Sequence, residues 1–334
     1  MCEVAVVTTG FFDGVHLGHR HVLETVVSCA RERGEEAVVV TFWPHPRAVL
    51  QQDARDLRLL TTLEEKKALI SAVGIDRVEV LPFTREFASL TAAQYLDLLA
   101  ARFDASLVVM GYDNKIGSDL VSAEDMCHSQ TVCFADPSHL RWAPPSYAAE
   151  GGHRFDNDTC LQPQIIVVDP FVISTDSSSV ISTGAEGVVE KSLSSTKIRQ
   201  ALLEGDVELA NAMLGYRYAM TGAVVAGNRL GRTIGFPTAN MQLYEPLKLV
   251  PGNGVYAVSV EVLGESFKGM CNIGMRPTVG GAYRTIETHI LDFDRDIYGL
   301  PLTIRFCRRI RDERHFPSLD ALRGQLVADR ELCR

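Results

Sequence analysis

The chain has 334 residues, 46% hydrophobic and 22% charged, with a formal net charge of −9. That length suits two domains better than one core, and the acidic balance disfavours a general nucleic-acid binder, which needs a basic face. No apolar run reaches membrane-span length, and the N-terminus MCEVAVVTTG has no basic n-region, so a cytoplasmic chain with no membrane partner is expected.

The apolar run Val4–Val7 predicts a strand, and the stripe Leu23, Val26, Val27, Ala30 predicts a helix ending at Gly34. Between them lies the turn TTGFFDGVHLGHRH, residues 8–21. Strands are predicted over 37–42, 77–81, 107–110 and 164–168. Capping boxes at Thr62 and Thr91 open helices running to about Gly74 and Phe103. The alternation implies a parallel sheet with helices on both faces, where ligands sit at the carboxyl ends of the strands. Residues 118–163 lack periodicity and read as an irregular insertion. Cys127, His128, Cys133, His139, His153 and Cys160 fall there, in no spacing typical of zinc; the eight cysteines, with no C-x-x-C pair, are expected to be reduced thiols. A polar stretch over 174–192, with Ile-Ser-Thr at 173–175 and 181–183, precedes two predicted helices, 196–203 and 207–214.

After Gly215 the texture changes. Strands are predicted over 216–226, 255–262, 267–273, 285–291 and 302–310, then one helix over 318–330. This reads as an antiparallel β-barrel closed by a C-terminal helix, with domains 1–215 and 216–334.

Four pieces fall at the expected ligand edge of the first domain. Gly10, Phe12, Asp13, Gly14 and Gly18 sit in the opening turn, where glycines let backbone approach a ligand and a following helix N-terminus suits phosphate. His16 and His19 add donors to the same phosphate. TFWPHP supplies His45, GYDNKIG supplies Asp113 and Asn114, and SSTKIR supplies Ser195, Thr196 and Arg199, a cluster suited to polyphosphate. Together they fit nucleotidyl transfer, in which an acceptor oxygen attacks the α-phosphorus of ATP and pyrophosphate leaves. In the second domain Gly222, Gly227, Gly231 and Gly235 punctuate TGAVVAGNRLGRTIGFPTAN, where backbone N–H groups can meet ATP phosphates. Thr238 and Asn240 offer two oxygens on alternate positions of an extended segment, suited to Mg²⁺. Glu287 is a carboxylate in an otherwise apolar strand, a residue that by itself fits a water-facing position better than a catalytic one.

TTGFFDGVHLGH, TFWPHP, GYDNKIG and SSTKIR resemble the adenylyltransferase half of the bacterial bifunctional riboflavin kinase/FAD synthetase family, within the Rossmann-like HxGH nucleotidyltransferases. GRTIGFPTAN, GVYAV, NIGMRPT, ETHILDF, IYG and IRDERHFPSLDALRGQL resemble its riboflavin kinase domain, over 215–334. The resemblance implies that Thr238 and Asn240 hold Mg²⁺ with ATP. Glu287 would then take the proton from the ribityl 5′-hydroxyl, with Arg311 and Phe316 beside the flavin. It implies ATP as co-substrate, riboflavin and FMN as small-molecule substrates, and FAD as final product. The sequence departs from the family at Ile116, where an aromatic is usual, and over 118–163, where a compact helix-containing stretch is usual. Those departures leave open a kinase-only reading with the N-terminal half as scaffold. A non-catalytic flavin-binding regulatory module has no use for both a metal pair and a base, and an RNA-linked HxGH enzyme sits poorly with the acidic balance. The sequence leaves the oligomeric state undetermined.

Overall fold

Val6 and Val7, with Ala5, Thr8 and Thr9, form a five-residue strand with no exposed position, which only the centre of a sheet covered on both faces can accommodate. The structure, a computed structural model, describes residues 4–50, 57–122, 125, 133–135, 163–169, 172–173, 191–227, 230–278 and 281–334. The chain divides into two units, residues 1–57 with 63–193, and residues 58–62 with 194–334.

In the first unit, β1 (Ala5–Thr9) leads to α1 (Leu17–Arg33), β2 (Glu36–Trp43), α2 (Pro46–Leu50), α3 (Leu63–Ser71) and β3 (Arg77–Pro82). α4 (Arg85–Ala88), α5 (Ala92–Phe103) and β4 (Ala105–Gly111) follow. A hairpin of β5 (Lys115–Ile116) and β6 (Val121–Ser122) comes next, then β7 (Cys133–Ala135) and β8 (Gln164–Val168). The small antiparallel pair β9 (Val172–Ile173) and β10 (Lys191–Ser192) completes it. The main sheet has the order β3-β2-β1-β4-β8-β7, and each recorded pairing is parallel. The chain winds outward from β1 through β2 and β3, then crosses to β4 on the other side. β1 and β4 therefore flank a topological switch point, the place where α/β sheets open a crevice for ligands. α1 ends at Gly34, whose φ of 68° is easily reached without a Cβ. The capping box at Thr91 is formed, with Gln94 reaching back to the Thr91 N–H.

Most of the expected irregular insertion over 118–163 lies outside the described residues, which here are 118–122, 125, 133–135 and 163. Ser118 donates to the carbonyls of Leu90 (2.7 Å) and Ser89 (3.1 Å), and Asp119 accepts the Ala92 N–H at 2.9 Å. These bonds tie residues 117–119 onto the start of α5. β7 pairs with β8 as an edge strand, which three residues of backbone achieve without any side-chain periodicity. The cluster of cysteines and histidines over 127–160, apart from Cys133, lies outside the described residues.

In the second unit, α6 (Ser195–Glu204) and α7 (Val207–Leu214) precede β11 (Ala219–Val225), the short α8 (Leu230–Thr233) and β12 (Ala239–Leu243). β13 (Gly254–Val262), β14 (Glu265–Thr278), β15 (Gly281–Ile290), β16 (Pro301–Arg311) and α9 (Leu319–Cys333) complete the chain. The six strands close into a barrel of order β11-β12-β15-β14-β13-β16, antiparallel throughout. One more strand is present than the sequence predicted. β12 is that strand, seen beforehand only as an extended segment because glycine and proline crowd its approach. Tyr218, Tyr256 and Phe306 are at most 1% exposed, and the three rings pack together in the barrel core. Burying such a ring contributes about 2 kcal/mol. The Tyr218 and Tyr256 hydroxyls donate to the carbonyls of Leu249 (2.6 Å) and Gly252 (2.5 Å), so neither is left unsatisfied. α6 and α7, expected with the first domain, group with the barrel unit.

Candidate active sites

The turn after β1 crosses the switch point. Phe12 (φ 51°), Gly14 (φ 83°) and Val15 (φ 37°) all adopt the left-handed region. Only glycine does so without strain, and burial of Phe12 and Val15 holds the other two in place. His16 is 5% exposed and caps α1, its Nδ1 accepting the His19 N–H at 3.3 Å. An accepting Nδ1 is unprotonated and leaves Nε2 as the donor. The His16 and His19 rings stack at 3.6 Å and 17°. A Cβ on Gly18 would stand 3.3 Å from the His16 ring, and one on Gly10 would stand 3.1 Å from the Phe12 ring. Those two glycines thus make room for the rings. Asp13 is 4% exposed.

Lys66, on α3, was missed from the sequence. It is 1% exposed and donates to the Phe11 carbonyl (2.9 Å) and Thr41 Oγ1 (3.1 Å), 3.8 Å from the centre of the Phe11 ring. Burial pushes its pKa down to about 8, and the charge of Asp13 acts the other way. Thr41 in turn donates to the Phe11 carbonyl at 3.3 Å, so β2 and α3 both anchor the turn. The only sequence signal was a lysine four places after the predicted N-cap Thr62, which ordinarily reads as solvent-facing. His45 meets the Phe11 ring edge-on at 4.1 Å and accepts the Arg47 N–H on Nδ1 at 3.0 Å.

In the loop after β4, Asn114 Nδ2 donates to the Thr9 carbonyl at 3.4 Å, so the two loops at the switch point meet; Asp113 is exposed. Ile116 is 6% exposed and packs in the core with Tyr95, Leu96 and Leu99. The Tyr95 hydroxyl lies 2.5 Å from Thr9 Oγ1. Ser195, Thr196 and Arg199 belong to the second unit. There Ser194 caps α6 by accepting the Lys197 N–H at 3.4 Å, and Arg199 Nε donates to the Arg58 carbonyl at 2.9 Å.

The second site is built on the barrel wall. Directly opposite residues on antiparallel strands share a face. Asn240 on β12 stands opposite Glu287 on β15, and Glu287 stands opposite Asn272 on β14. Thr238 Oγ1 lies 3.5 Å from Glu287 Oε2. A Cβ on Gly227 would fall 2.1 Å from the Asn240 amide nitrogen, so the missing side chain is the seat of that amide. Cβ atoms on Gly222 and Gly231 would each fall 2.2 Å from a carbonyl oxygen, of Gln242 and Phe236 respectively. Gly235 turns at φ 84°. His289 donates from Nδ1 to the Pro237 carbonyl at 2.8 Å and holds that loop to β15; burial lowers its pKa, as does Arg330.

Two cavities share Thr238. One, of about 570 Å³, is lined by Glu287, Asn272, Val255, Arg311, Phe316 and leucines of α9 among others. The second, of about 540 Å³, has Arg232, Phe293, Arg295 and Tyr298 in its lining. Arg311 lies 5.6 Å from the Phe316 ring centre. Two chambers meet at a hydroxyl beside a carboxylate, one lined by the leucines of α9 and the other by Arg232, Arg295, Asp294, Asp296 and aromatic rings, an arrangement that can bring an alcohol to a nucleoside triphosphate. The hydroxyl of Thr238 and the amide oxygen of Asn240 are hard oxygen donors of the kind that holds a divalent cation together with substrate phosphates. Among the described residues no three or more of His, Cys, Asp and Glu gather as a metal-holding group.

A glycine- and histidine-rich turn at the switch point of one fold, and a carboxylate beside paired cavities on another, fit a two-site ATP-dependent transferase. The FAD synthetase family matches residues 2–134, and the riboflavin kinase family matches residues 214–334. The bifunctional riboflavin kinase/FMN adenylyltransferase of Bacillus subtilis strain 168 is 34% identical over 330 residues, 98% of this chain and 90% of the relative. The protein of the same description from Escherichia coli K12 is 36% identical over 329 residues, 98% of this chain and 91% of the relative. A crystal structure described as a macrolide-efflux protein from Streptococcus pneumoniae matches with a TM-score of 0.81 and 31% identity, covering 100% of this chain and 95% of that one. Among the described residues of this chain no helix is long and apolar enough to cross a membrane. The chain belongs to the bifunctional riboflavin kinase/FMN adenylyltransferase family.

Proposed function

We propose that the chain makes FAD in two steps, with riboflavin phosphorylated on the barrel, in the proposed domain 216–334, and FMN adenylylated at the switch point of the sheet, in the proposed domain 1–215. The enzyme is a riboflavin kinase and an FMN adenylyltransferase, and ATP serves both steps. For the kinase, the observation that carries the reading is Glu287 in the wall of the larger cavity, 3.5 Å from Thr238. Glu287 accepts the proton of the riboflavin 5′-hydroxyl as that oxygen attacks the γ-phosphorus, and ADP leaves. Riboflavin takes the cavity of Arg311, Phe316 and the α9 leucines; ATP takes the cavity of Arg232 and Tyr298, with the glycines of 222–235 near its phosphates. Thr238 and Asn240 hold Mg²⁺, which when bound neutralises phosphate charge. The packing of Asn240 against Gly227 supports this by fixing the amide.

For adenylyl transfer, a phosphate oxygen of FMN attacks the α-phosphorus of ATP and pyrophosphate leaves. The N-terminus of α1, with His16 and His19, neutralises the developing charge. Gly10, Phe12, Asp13, Gly14, Gly18 and His45 shape the nucleotide site, and Asp113 and Asn114 the flavin edge. Ser195, Thr196 and Arg199 keep their proposed polyphosphate role from the SSTKIR motif. The stacked histidine pair, of which His16 is buried, and the Lys66-anchored turn support an active site over a scaffold. The proposed partners are small molecules alone, and the demand for ATP fits a cytoplasmic location. Full-length protein given riboflavin and MgATP should form FMN and then FAD by chromatography; FMN without FAD would favour the kinase-only reading.

A further inference from the structure

Leu319, Leu322 and Leu326 follow each other at helical spacing on α9 and line the larger cavity. Asp329 continues that stripe three residues on, an acid where the pattern calls for another apolar residue. Its side chain is fully buried. Arg311 Nε lies 3.1 and 2.9 Å from its two carboxylate oxygens, and Arg311 Nη2 lies 2.8 Å from Oδ2. Gln325 Nε2 adds a third donor at 2.7 Å to Oδ1. Arg311 itself is 16% exposed, and its Nη1 donates to the Asp312 carbonyl at 2.9 Å. Three of the five guanidinium N–H donors are thereby used and the plane is fixed, leaving one N–H on each Nη for an oxygen of a ligand. The next residue, Arg330, lies 5.7 Å from the ring of Phe236, at the head of the segment that carries Thr238.

We propose that Asp329 is a positioning residue for the kinase step. It locks the Arg311 guanidinium in the cavity wall and seats α9 as the lid of the riboflavin chamber. This rests on the reading that the cavity takes riboflavin. Burying an ion pair is a poor way to gain stability, since an apolar pair of similar bulk does as well or better. What the pair provides is an arginine with one fixed orientation beside Phe316, so that riboflavin meets a preformed donor rather than a mobile side chain.

The test is riboflavin phosphorylation by full-length protein, with KM and kcat separated and riboflavin affinity read from quenching of flavin fluorescence. Asp329→Asn should raise the riboflavin KM about tenfold with kcat within about twofold, and Asp329→Glu should recover most of the loss. In an Arg311→Met background, Asp329→Asn should add nothing further, because it acts through Arg311. An equal KM rise in that background, or an unchanged KM in folded Asp329→Asn protein, overturns the proposal. If Asp329→Asn does not fold, the pair Arg311→Met with Asp329→Leu keeps the burial and removes the charges. It should show the raised KM, and a wild-type KM there overturns the proposal. Glu287→Gln run in parallel separates the two levels. Its loss of turnover establishes the chamber, so that an unchanged KM in Asp329→Asn then sinks the lock alone; undiminished turnover in Glu287→Gln sinks the chamber and the lock together.

Discussion

Replacing Lys66 by methionine keeps most of the side-chain volume and removes a buried ammonium. In the folded state this lysine titrates at about 8 rather than 10.5, chiefly because it is buried. A depression of that size corresponds to about 3 kcal/mol of disfavour for the charged form at neutral pH. Between about pH 8 and 10.5 the unfolded chain binds a proton that the folded chain does not, so stability rises with pH across that window. The penalty is full below about pH 8 and is gone by about 10.5, where the lysine is neutral in both states. The two hydrogen bonds of the ammonium offset part of the penalty, by about 1 kcal/mol each, and the Phe11 carbonyl keeps its bond from Thr41 in the variant. Lys66→Met should therefore be about 1 to 2 kcal/mol more stable than the parent near pH 7 and lose that advantage by pH 10.5. Urea unfolding of both proteins across this range, followed at Trp43 on β2, measures the difference. A difference independent of pH would refute the buried-cation account. The same variant should convert FMN to FAD about tenfold more slowly, because the turn has lost its anchor on α3.

Three other expectations follow from the two sites. Glu287→Gln should lower FMN formation from riboflavin by about 10²- to 10⁴-fold while leaving FMN-to-FAD conversion intact, and loss of both activities would break the two-site division. His19→Ala should do the reverse, slowing FAD formation from FMN by about 10²-fold; an unchanged rate would remove the histidine pair from the phosphate site. Gly227→Ala forces a methyl to within 2.1 Å of the Asn240 amide nitrogen and must displace that side chain. The KM for MgATP in the kinase step should rise about tenfold with little change in the riboflavin KM, and an unaltered ATP dependence would count against the metal role of Asn240.

Much of this molecule was legible in its sequence because period and punctuation agreed. The strand expected over 4–7 formed as β1 two residues further on, through Thr8 and Thr9, while the Gly34 terminus of α1 and the Thr91 capping box, both local devices, formed where their residues called for them. The glycine-rich turn with H-x-G-H and the G-F-P-T-A-N segment were visible for the same reason. β12 was not, since its pairing with β11 and β15 is a tertiary property of a short segment next to proline and glycine. Nor was β7, whose three residues owe their strand to the edge that β8 offers. Lys66 and Asp329 were illegible for a different reason. A charged residue on a helix reads as solvent-facing until the fold buries it, and both are at most 1% exposed. Ile116 was noticed as a departure, but its place in the core beside Tyr95 and Leu99 depends on how the hairpin β5–β6 folds against α5.

The most direct measurement of the central claim supplies Glu287→Gln protein with MgATP and either riboflavin or FMN, and separates the flavins over time. With FMN it should yield FAD at the parental rate, and with riboflavin it should form FMN, and FAD from it, at least about a hundredfold more slowly than the parent. FMN formed from riboflavin at the parental rate by this variant, or no FAD from FMN, would contradict the assignment of the two activities to two separate sites.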